Sequence, residues 1–448
     1  MHTFSRNAAF AALLLGMLMA ALDTNVVVAA LPSIGADLGN PGAAGGVTSA
    51  YLLAVAVATP VHGSLGDRWG RRRMFVGSVA VFAVASLGCA LAPSLPALIG
   101  LRAVQGLGGS GLIVAAVAAM AELFDRAEMV RRQGWLTAVF AVSSIGGAPL
   151  GGLLAASTGW PSIFLVNLPV SVLALVLGIR SVPGQRDQAD RRGFDVAGAV
   201  LVALVGGSIV VLGSSEALAR DPVAAPVLAA VALVGTVAFV RVERHAAAPL
   251  VPPRLFADPG VTRAVVVTLL TGVALFGSFT YVPLAISENP AATGLLLLPM
   301  SIGQLVVTSG FALLARRWPR VTAWGRLGLA LGVVGLLCTA LIPLAQGGLR
   351  MLAVVVGLAC SGAALGLSMQ AYTLLAQSMV PKDILGAGMA TLTFARQIGG
   401  SLGIAVFGWI TLVADSGAAL PIVFLLAAAV LLAGVFLAPR AAHDLVSA

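Results

Sequence analysis

An aspartate stands inside an apolar stretch near the start of this 448-residue chain. Residues 8–31 carry no other charge, and as a helix they are about long enough to cross a hydrocarbon layer of ~30 Å. The carboxylate of Asp23 is costly there unless another group stabilises its charge. Arg102 is equally isolated in a later apolar stretch, and Gln105 shares its helix face at i, i+3. Asp23 and Arg102 are therefore predicted to meet within the membrane.

Such a pair has two interpretations. A membrane carboxyl can load and release a proton when a conformational change alters its burial or its distance from a cation. This predicts a proton-coupling role for Asp23 and Arg102. Alternatively, the two side chains form a permanent ion pair that only fixes the packing of their helices. The residue types leave both interpretations open.

The composition indicates an integral membrane protein. Hydrophobic residues make up 59% of the chain, charged residues only 10%, and the mean hydropathy is +1.03, whereas a soluble protein has roughly 25% charged residues. Because backbone polar groups in lipid must be satisfied within each segment, the recurring apolar spans predict an all-α polytopic protein. The sequence has no Walker A motif, no HExxH motif and no GxSxG nucleophile elbow, and its three cysteines lack metal-ligand spacing. An enzyme, a cofactor and a metal site are not expected.

Hydropathy in a window of ~19 residues predicts fourteen transmembrane helices. The approximate spans are 8–31, 44–62, 75–92, 96–121, 134–157, 161–180, 194–213, 223–240, 262–284, 291–315, 324–345, 351–378, 386–412 and 419–438.

The basic residues predict the orientation of these spans. With both termini in the cytoplasm, 22 of the 26 Lys and Arg residues fall on the cytoplasmic side, as the positive-inside rule requires. Arg220 and Arg350 fall on the extracellular side, and Arg102 and Arg396 lie within spans. This distribution accounts for the sequence pI of about 10.8 through contact with anionic lipid, so no nucleic acid is implied.

The spans form a doubled pattern. Residues 8–180 and 262–438 each hold six spans, and a short loop with four basic residues falls at a similar place in each half. Two parallel six-helix repeats around a central cavity are typical of transporters. We therefore predict an N-terminal six-helix bundle at 1–185, an inserted transmembrane hairpin with its linkers at 186–258, and a C-terminal six-helix bundle at 259–448.

The stretch GSLGDRWGRRR follows the second span. Its glycines predict a tight turn between two helices, and its aspartate can cap a helix or pair with a nearby arginine. Such a loop would act as a cytoplasmic gate, although a solvated basic loop that only sets topology is the alternative. The predicted gate residues are Gly63, Gly66, Asp67, Arg68, Gly70 and Arg71.

This loop closely resembles the G-x-L-(A/G)-D-R-x-G-R-(R/K) loop of the major facilitator superfamily. LDTNVVVAALPSI, LRAVQGLGGSG and FARQIGGSLGIAVFG also resemble motifs of its fourteen-helix drug/proton antiporters, the EmrB/QacA-like group. GGAPLGGLL resembles the antiporter motif of the fifth helix, with its proline one place later than usual. The residues that the resemblance assigns to this motif are Gly147, Pro149, Gly151 and Gly152.

Further polar residues in the spans are candidates for the wall of a substrate cavity. Each amide could instead form a hydrogen bond between helices and contact no substrate. The glycines beside Arg396 are equally explained by close helix packing. The candidates are Asn25, Gln105, Asn167, Gln304, Gln370, Arg396 and Gln397.

The resemblance and the absence of a nucleotide motif predict a proton-driven exporter of small amphiphilic or cationic organic compounds. The expected location is the cytoplasmic membrane of a bacterium, with protons, a small-molecule substrate and the lipid bilayer as partners and a monomer as the working state. A proton-coupled importer of one metabolite, and a membrane sensor or assembly protein that does not transport, are the alternatives.

Overall fold

The structure is a computed structural model of the full chain. It describes residues 3–39, 43–124, 126–182, 195–246, 249–251, 253–286, 289–318, 320–380, 385–414 and 418–439. The regular elements within these ranges are helices. The chain divides into two compact units.

The first unit comprises Met1–Asn40, Ala50–Phe194 and Asn289–Leu295. Long helices dominate it, and each satisfies its backbone polar groups internally, as lipid requires. Its helices are α1 (Thr3–Leu38), α2 (Gly45–Trp69, apart from its first turn), α3 (Arg71–Ala90), α4 (Leu95–Leu123), α5 (Arg126–Ser157), α6 (Ser162–Leu165) and α7 (Asn167–Ser181).

The second unit comprises Pro41–Ser49, Asp195–Glu288 and Leu296–Ala448. The two hairpin helices, α8 and α10, belong to this unit, and α8 packs against α18. Its elements are α8 (Val196–Ser214), α9 (Glu216–Arg220), α10 (Ala224–His245), a 3-10 helix (Pro253–Ala257), α11 (Pro259–Thr271), a π-helical turn (Gly272–Phe276), α12 (Gly277–Phe279) and α13 (Val282–Ile286). After α14 (Pro290–Leu296), which groups with the first unit, follow α15 (Leu298–Arg317), α16 (Val321–Ala340), α17 (Gly347–Met379), α18 (Leu385–Val413) and α19 (Ala419–Leu437).

Twelve helical segments in the described part of the chain are long and apolar enough to cross a membrane. The protein is therefore a multi-pass membrane protein, but the predicted count of fourteen spans is not supported. Two of the predicted spans, 44–62 and 134–157, contribute only the shorter apolar stretches Gly45–Thr59 and Val142–Ser157. Both stretches belong to long helices, α2 and α5, whose remaining turns carry polar and charged residues.

Helix boundaries follow from local chemistry. Asp258 begins α11 by accepting hydrogen bonds from the backbone N–H groups of Gly260 and Val261, a typical N-cap. At the loop predicted between the second and third spans, α2 instead continues as a helix to Trp69. Gly70, with φ of 85°, is the single residue that separates α2 from α3. This left-handed backbone conformation favours glycine.

The predicted tight turn with three glycines is thus wrong. Gly63 and Gly66 lie within the helical backbone of α2. The side-chain surroundings of Gly63, Gly66, Asp67 and Arg68 lie outside what the structure describes, so the gate role of these residues stays a prediction.

Candidate functional site

Asp23 and Arg102 meet in the first unit, as their isolated charges predict. Arg102 Nη1 donates to Asp23 Oδ2 at 2.5 Å. Both side chains are fully buried, with exposed fractions of 0%. Because two opposite charges neutralise one another there, neither remains uncompensated among apolar helices.

Two amides complete the coordination of the carboxylate. Asp23 Oδ1 accepts from Gln105 Nε2 at 3.0 Å and from Asn167 Nδ2 at 3.1 Å. The carboxylate of Asp23, on α1, is therefore held by residues of α4 and α7. Gln105 and Asn167 were predicted as cavity-wall candidates, but the structure buries both and assigns them to this cluster, which we call the Asp23 cluster.

Gln105 links the Asp23 cluster to α3. Its Oε1 accepts from Arg102 Nη1 at 2.6 Å, and its Nε2 also lies 2.7 Å from Ser86 Oγ. Cys89 Sγ donates to the same Oε1 at 3.7 Å. The amide thus contacts both charged residues and connects them to a neighbouring helix, which makes the polar network continuous.

Aromatic rings enclose the arginine. The guanidinium carbon of Arg102 lies 4.3 Å from the ring centroid of Tyr51 and 5.7 Å from that of Phe164. The face of an aromatic ring attracts a cation, most strongly where water is excluded. Arg102 therefore has electrostatic support that does not depend on Asp23.

The antiporter motif packs against the helix turn that carries Asp23. A Cβ atom at Gly147 would lie 2.6 Å from the Cβ of Asn25, and one at Gly151 would overlap the carbonyl oxygen of Val26. The two glycines therefore allow α5 to touch α1 directly at this turn. Gly152 is buried, and Pro149 lies inside the α5 helix.

The other predicted cavity residues lie elsewhere. Asn25 Nδ2 donates to the carbonyl of Ala21 in its own helix at 3.1 Å. Arg396, in α18, is half-buried and makes no hydrogen bond or ion pair with the residues that the structure describes. Gln304, Gln370 and Gln397 are half-buried in the second unit, and none of these side chains belongs to the Asp23 cluster. Arg71 is half-buried at the start of α3.

Sequence reasoning missed four members of the site. Tyr51, Ser86, Cys89 and Phe164 are ordinary residue types in their spans, so nothing in the sequence distinguishes them. They line the charged pair because of the way α2, α3 and α6 pack, and only a tertiary structure supplies that information.

The second unit contains an apolar cavity of about 220 Å³ between α8, α10, α11 and α18. Phe239, Phe394 and Leu402 are among the residues that line it, and Thr236 contributes a hydroxyl. That hydroxyl donates to Ala232 of its own helix. None of the described residues that line it is titratable. The described residues hold no group of three or more metal-ligating side chains.

Comparisons with known proteins identify the family to which this sequence is similar. A family model described as Major Facilitator Superfamily matches residues 13–404. The uncharacterized MFS-type transporter Rv1877 of Mycobacterium tuberculosis is 34% identical over 416 residues, which cover 90% of this chain but only 59% of that relative. The multidrug resistance protein Stp of the same species is 30% identical, with 88% of this chain and 74% of the relative covered. The cephamycin export protein CmcT of Amycolatopsis lactamdurans is 34% identical, with 88% and 83% covered.

Solved structures share the fold. The nucleoside transporter NupG superposes with a TM-score of 0.67 at 11% identity, over 96% of this chain and 98% of that chain. The xylose transporter XylE from E. coli, in an inward open conformation, gives a TM-score of 0.62 at 16% identity, over 95% of each chain. Together, the family match and relatives at 30% identity or more show that this chain belongs to the Major Facilitator Superfamily.

Proposed function

We propose that the protein is a proton-driven exporter of small amphiphilic or cationic organic compounds. It would belong to the fourteen-helix drug/proton antiporters and work by alternating access in a bacterial cytoplasmic membrane, with both termini in the cytoplasm. The observation that carries the proposal is the fully buried Asp23 carboxylate, which accepts hydrogen bonds from Arg102, Gln105 and Asn167. A buried carboxyl with a matched cation is suited to binding and releasing a proton.

Protonation of Asp23 would leave the charged Arg102 with other partners. A proton on Asp23 Oδ2 would remove the acceptor that Arg102 uses. Arg102 would still donate to Gln105 Oε1, now 2.6 Å away, and would still face the Tyr51 ring. The charged arginine therefore has partners in both protonation states of Asp23, which lowers the cost of cycling between them.

The same contacts suggest how a proton acts on the helices. Protonated Asp23 would be held less strongly by α4 and α7, which supply its three donors. At the same turn, Gly147 and Gly151 allow α5 to pack directly against α1. A shift of α1 on protonation would thus pass to α5. The proposed gate at 63–71, and a substrate path that includes Asn25, Gln304, Gln370, Arg396 and Gln397, would respond to such a shift.

The relatives support export of organic compounds. Stp is named for multidrug resistance, MdtP of Bacillus subtilis is named as a multidrug transporter, and CmcT is named for cephamycin export. The family and these names indicate a transporter rather than an enzyme. Because the sequence has no nucleotide-binding motif, uphill transport would draw on an ion gradient.

Transport in vesicles of known orientation tests this proposal. Inverted membrane vesicles that contain the protein should accumulate the fluorescent cation ethidium when their lumen is acidified, and an uncoupler should abolish the accumulation. Accumulation that instead requires a proton gradient in right-side-out vesicles would favour the importer. Absence of proton-dependent flux in both orientations, for ethidium and for a panel of neutral amphiphiles, would favour the sensor or assembly protein.

A further inference from the structure

Two carboxyl groups meet at the base of the hairpin formed by α8 and α10. Asp195 caps α8, where its Oδ1 accepts from the backbone N–H of Gly198 at 2.8 Å. Glu243 lies near the end of α10, and its two carboxyl oxygens accept from the N–H groups of Leu250 and Val251, each at 3.2 Å. Asp195 is only 9% exposed and Glu243 only 5%. We call these two residues the carboxyl pair.

The second oxygen of Asp195 faces Glu243. A Cβ atom built on Gly198 would overlap Asp195 Oδ2 and would lie 2.9 Å from Glu243 Oε1, so both oxygens border the same small volume. Yet Asp195 Oδ2 is buried without a hydrogen-bond donor. Two ionised carboxylates can only accept hydrogen bonds, so their mutual approach leaves this oxygen unsatisfied.

No cation in the described part of the chain compensates the carboxyl pair. The α8 helix has no charged residue between Val196 and Ser214. On α10, Arg241, Arg244 and His245 are exposed. The basic residue on α18 is Arg396, which makes no ion pair with a described residue, and Arg254 of the 3-10 helix is exposed.

We propose that Asp195 and Glu243 form a second proton-binding site, in which one proton is shared between Asp195 Oδ2 and Glu243 Oε1. The proton supplies the donor that Oδ2 lacks and removes the repulsion between two adjacent carboxylates. This site is separate from the Asp23 cluster, which lies in the other unit, and it does not depend on the direction or substrate of transport.

The bound proton has a structural consequence. It connects the start of α8 to the end of α10, and Glu243 in turn holds the segment at Leu250 and Val251. A few residues later, Leu255 is buried in a cluster with Val261 of α11. The proton therefore stabilises the connection between the hairpin and the helix that follows it, and its loss at high pH should loosen that connection.

Infrared spectroscopy of the full-length protein in lipid nanodiscs tests the site directly. A protonated carboxyl has a C=O stretch separate from the carboxylate bands and sensitive to exchange into D2O. Wild type should show such a band at neutral pH and lose it on alkaline titration. Asp195→Asn and Glu243→Gln should each abolish it, whereas Asp23→Asn should leave it unchanged, which separates this site from the proposed transport carboxyl.

A matched control is available at the other end of α10. Asp221 also accepts from backbone N–H groups, those of Val223 and Ala224, but it is exposed, and these bonds lower the pKa of its carboxyl. Asp221→Asn should therefore not change the band. A wild-type spectrum without the band at any pH where the protein is folded would overturn the proposal, even if the variants fail to fold. So would stabilisation by Na⁺, Mg²⁺ or Ca²⁺ that requires both carboxyls, because a cation would then occupy the site.

Discussion

At the scale of single residues, the question posed by Asp23 is why a charge is tolerated in an apolar helix. The structure answers it with three donors on two helices and with two rings that support Arg102. The charged residues and Gln105 could be predicted, because a polar side chain in an apolar span is conspicuous. Ser86 and Tyr51 could not, because their part in the site depends only on which helices become neighbours.

Asp23→Asn imitates a permanently protonated carboxyl, so it cannot exchange a proton. We expect efflux driven by a pH gradient to fall to background, while substrate binding to the purified protein is retained. Asp37→Asn is a matched control on the same helix, since Asp37 is exposed and accepts from Trp160 Nε1 at 2.7 Å; it should keep most of the activity. Gradient-driven efflux by Asp23→Asn at the wild-type rate would contradict the proton-carrier role.

Variants of Arg102 distinguish coupling from structure. Removal of one partner from a buried ion pair costs about 3–5 kcal/mol, so Arg102→Ala should lower the amount of folded protein. The double variant Asp23→Asn with Arg102→Gln has no uncompensated charge and should recover abundance. If the pair couples protons, this double variant still fails to export against a gradient when efflux is measured per folded molecule. Recovery of both abundance and export would identify a purely structural pair.

At the scale of helices, hydropathy locates the apolar spans but not where the helices end. A window average treats the polar residues of 63–69 as a loop, whereas backbone hydrogen bonds continue α2 to Trp69 until Gly70 breaks it. The π-helical turn at Gly272–Phe276 is likewise invisible to hydropathy. Such features depend on backbone geometry and on close packing, which composition does not record.

The contact between α1 and α5 gives a prediction about stability. A methyl group at Gly151 would overlap the carbonyl oxygen of Val26, whereas one at Gly146 would meet nothing within 4 Å. Gly151→Ala should therefore destabilise the protein by about 1–3 kcal/mol, as overpacking does. Gly146→Ala in the same helix should be neutral or slightly stabilising. Thermal unfolding of the two purified variants measures the difference, and equal melting temperatures would contradict this account of the motif.

At the scale of the whole molecule, the proposed gate concerns the rate of the transport cycle. If Asp67 holds the cytoplasmic ends of helices together in one state, Asp67→Asn should slow turnover several-fold without reducing the amount of protein in the membrane. Arg72→Gln, in the neighbouring turn, is a suitable comparison because Arg72 is exposed. Turnover is measured at equal abundance, and wild-type turnover in Asp67→Asn would support the alternative of a solvated basic loop.

The number and direction of membrane crossings also belong to the whole molecule. The arginine distribution predicts that the connection between α8 and α10 lies outside the cell and that the linker after α10 lies in the cytoplasm. Val223 and Phe256 are exposed in these two segments, with exposed fractions of 68% and 41%. In intact cells, a membrane-impermeant maleimide should therefore label Val223→Cys, and it should label Phe256→Cys only after permeabilisation.

The native cysteines set the background of this measurement. Cys89 is buried, and Cys338 and Cys360 are half-buried within membrane-spanning helices, so wild type should react little. Among the membrane-spanning candidates in the described residues, α10 has the smallest buried share, 6% of its apolar window, so a crossing α10 would be covered mainly by lipid. Labelling of Val223→Cys and Phe256→Cys from the same side would show that α10 does not cross the membrane. The proposal of fourteen spans would then be wrong.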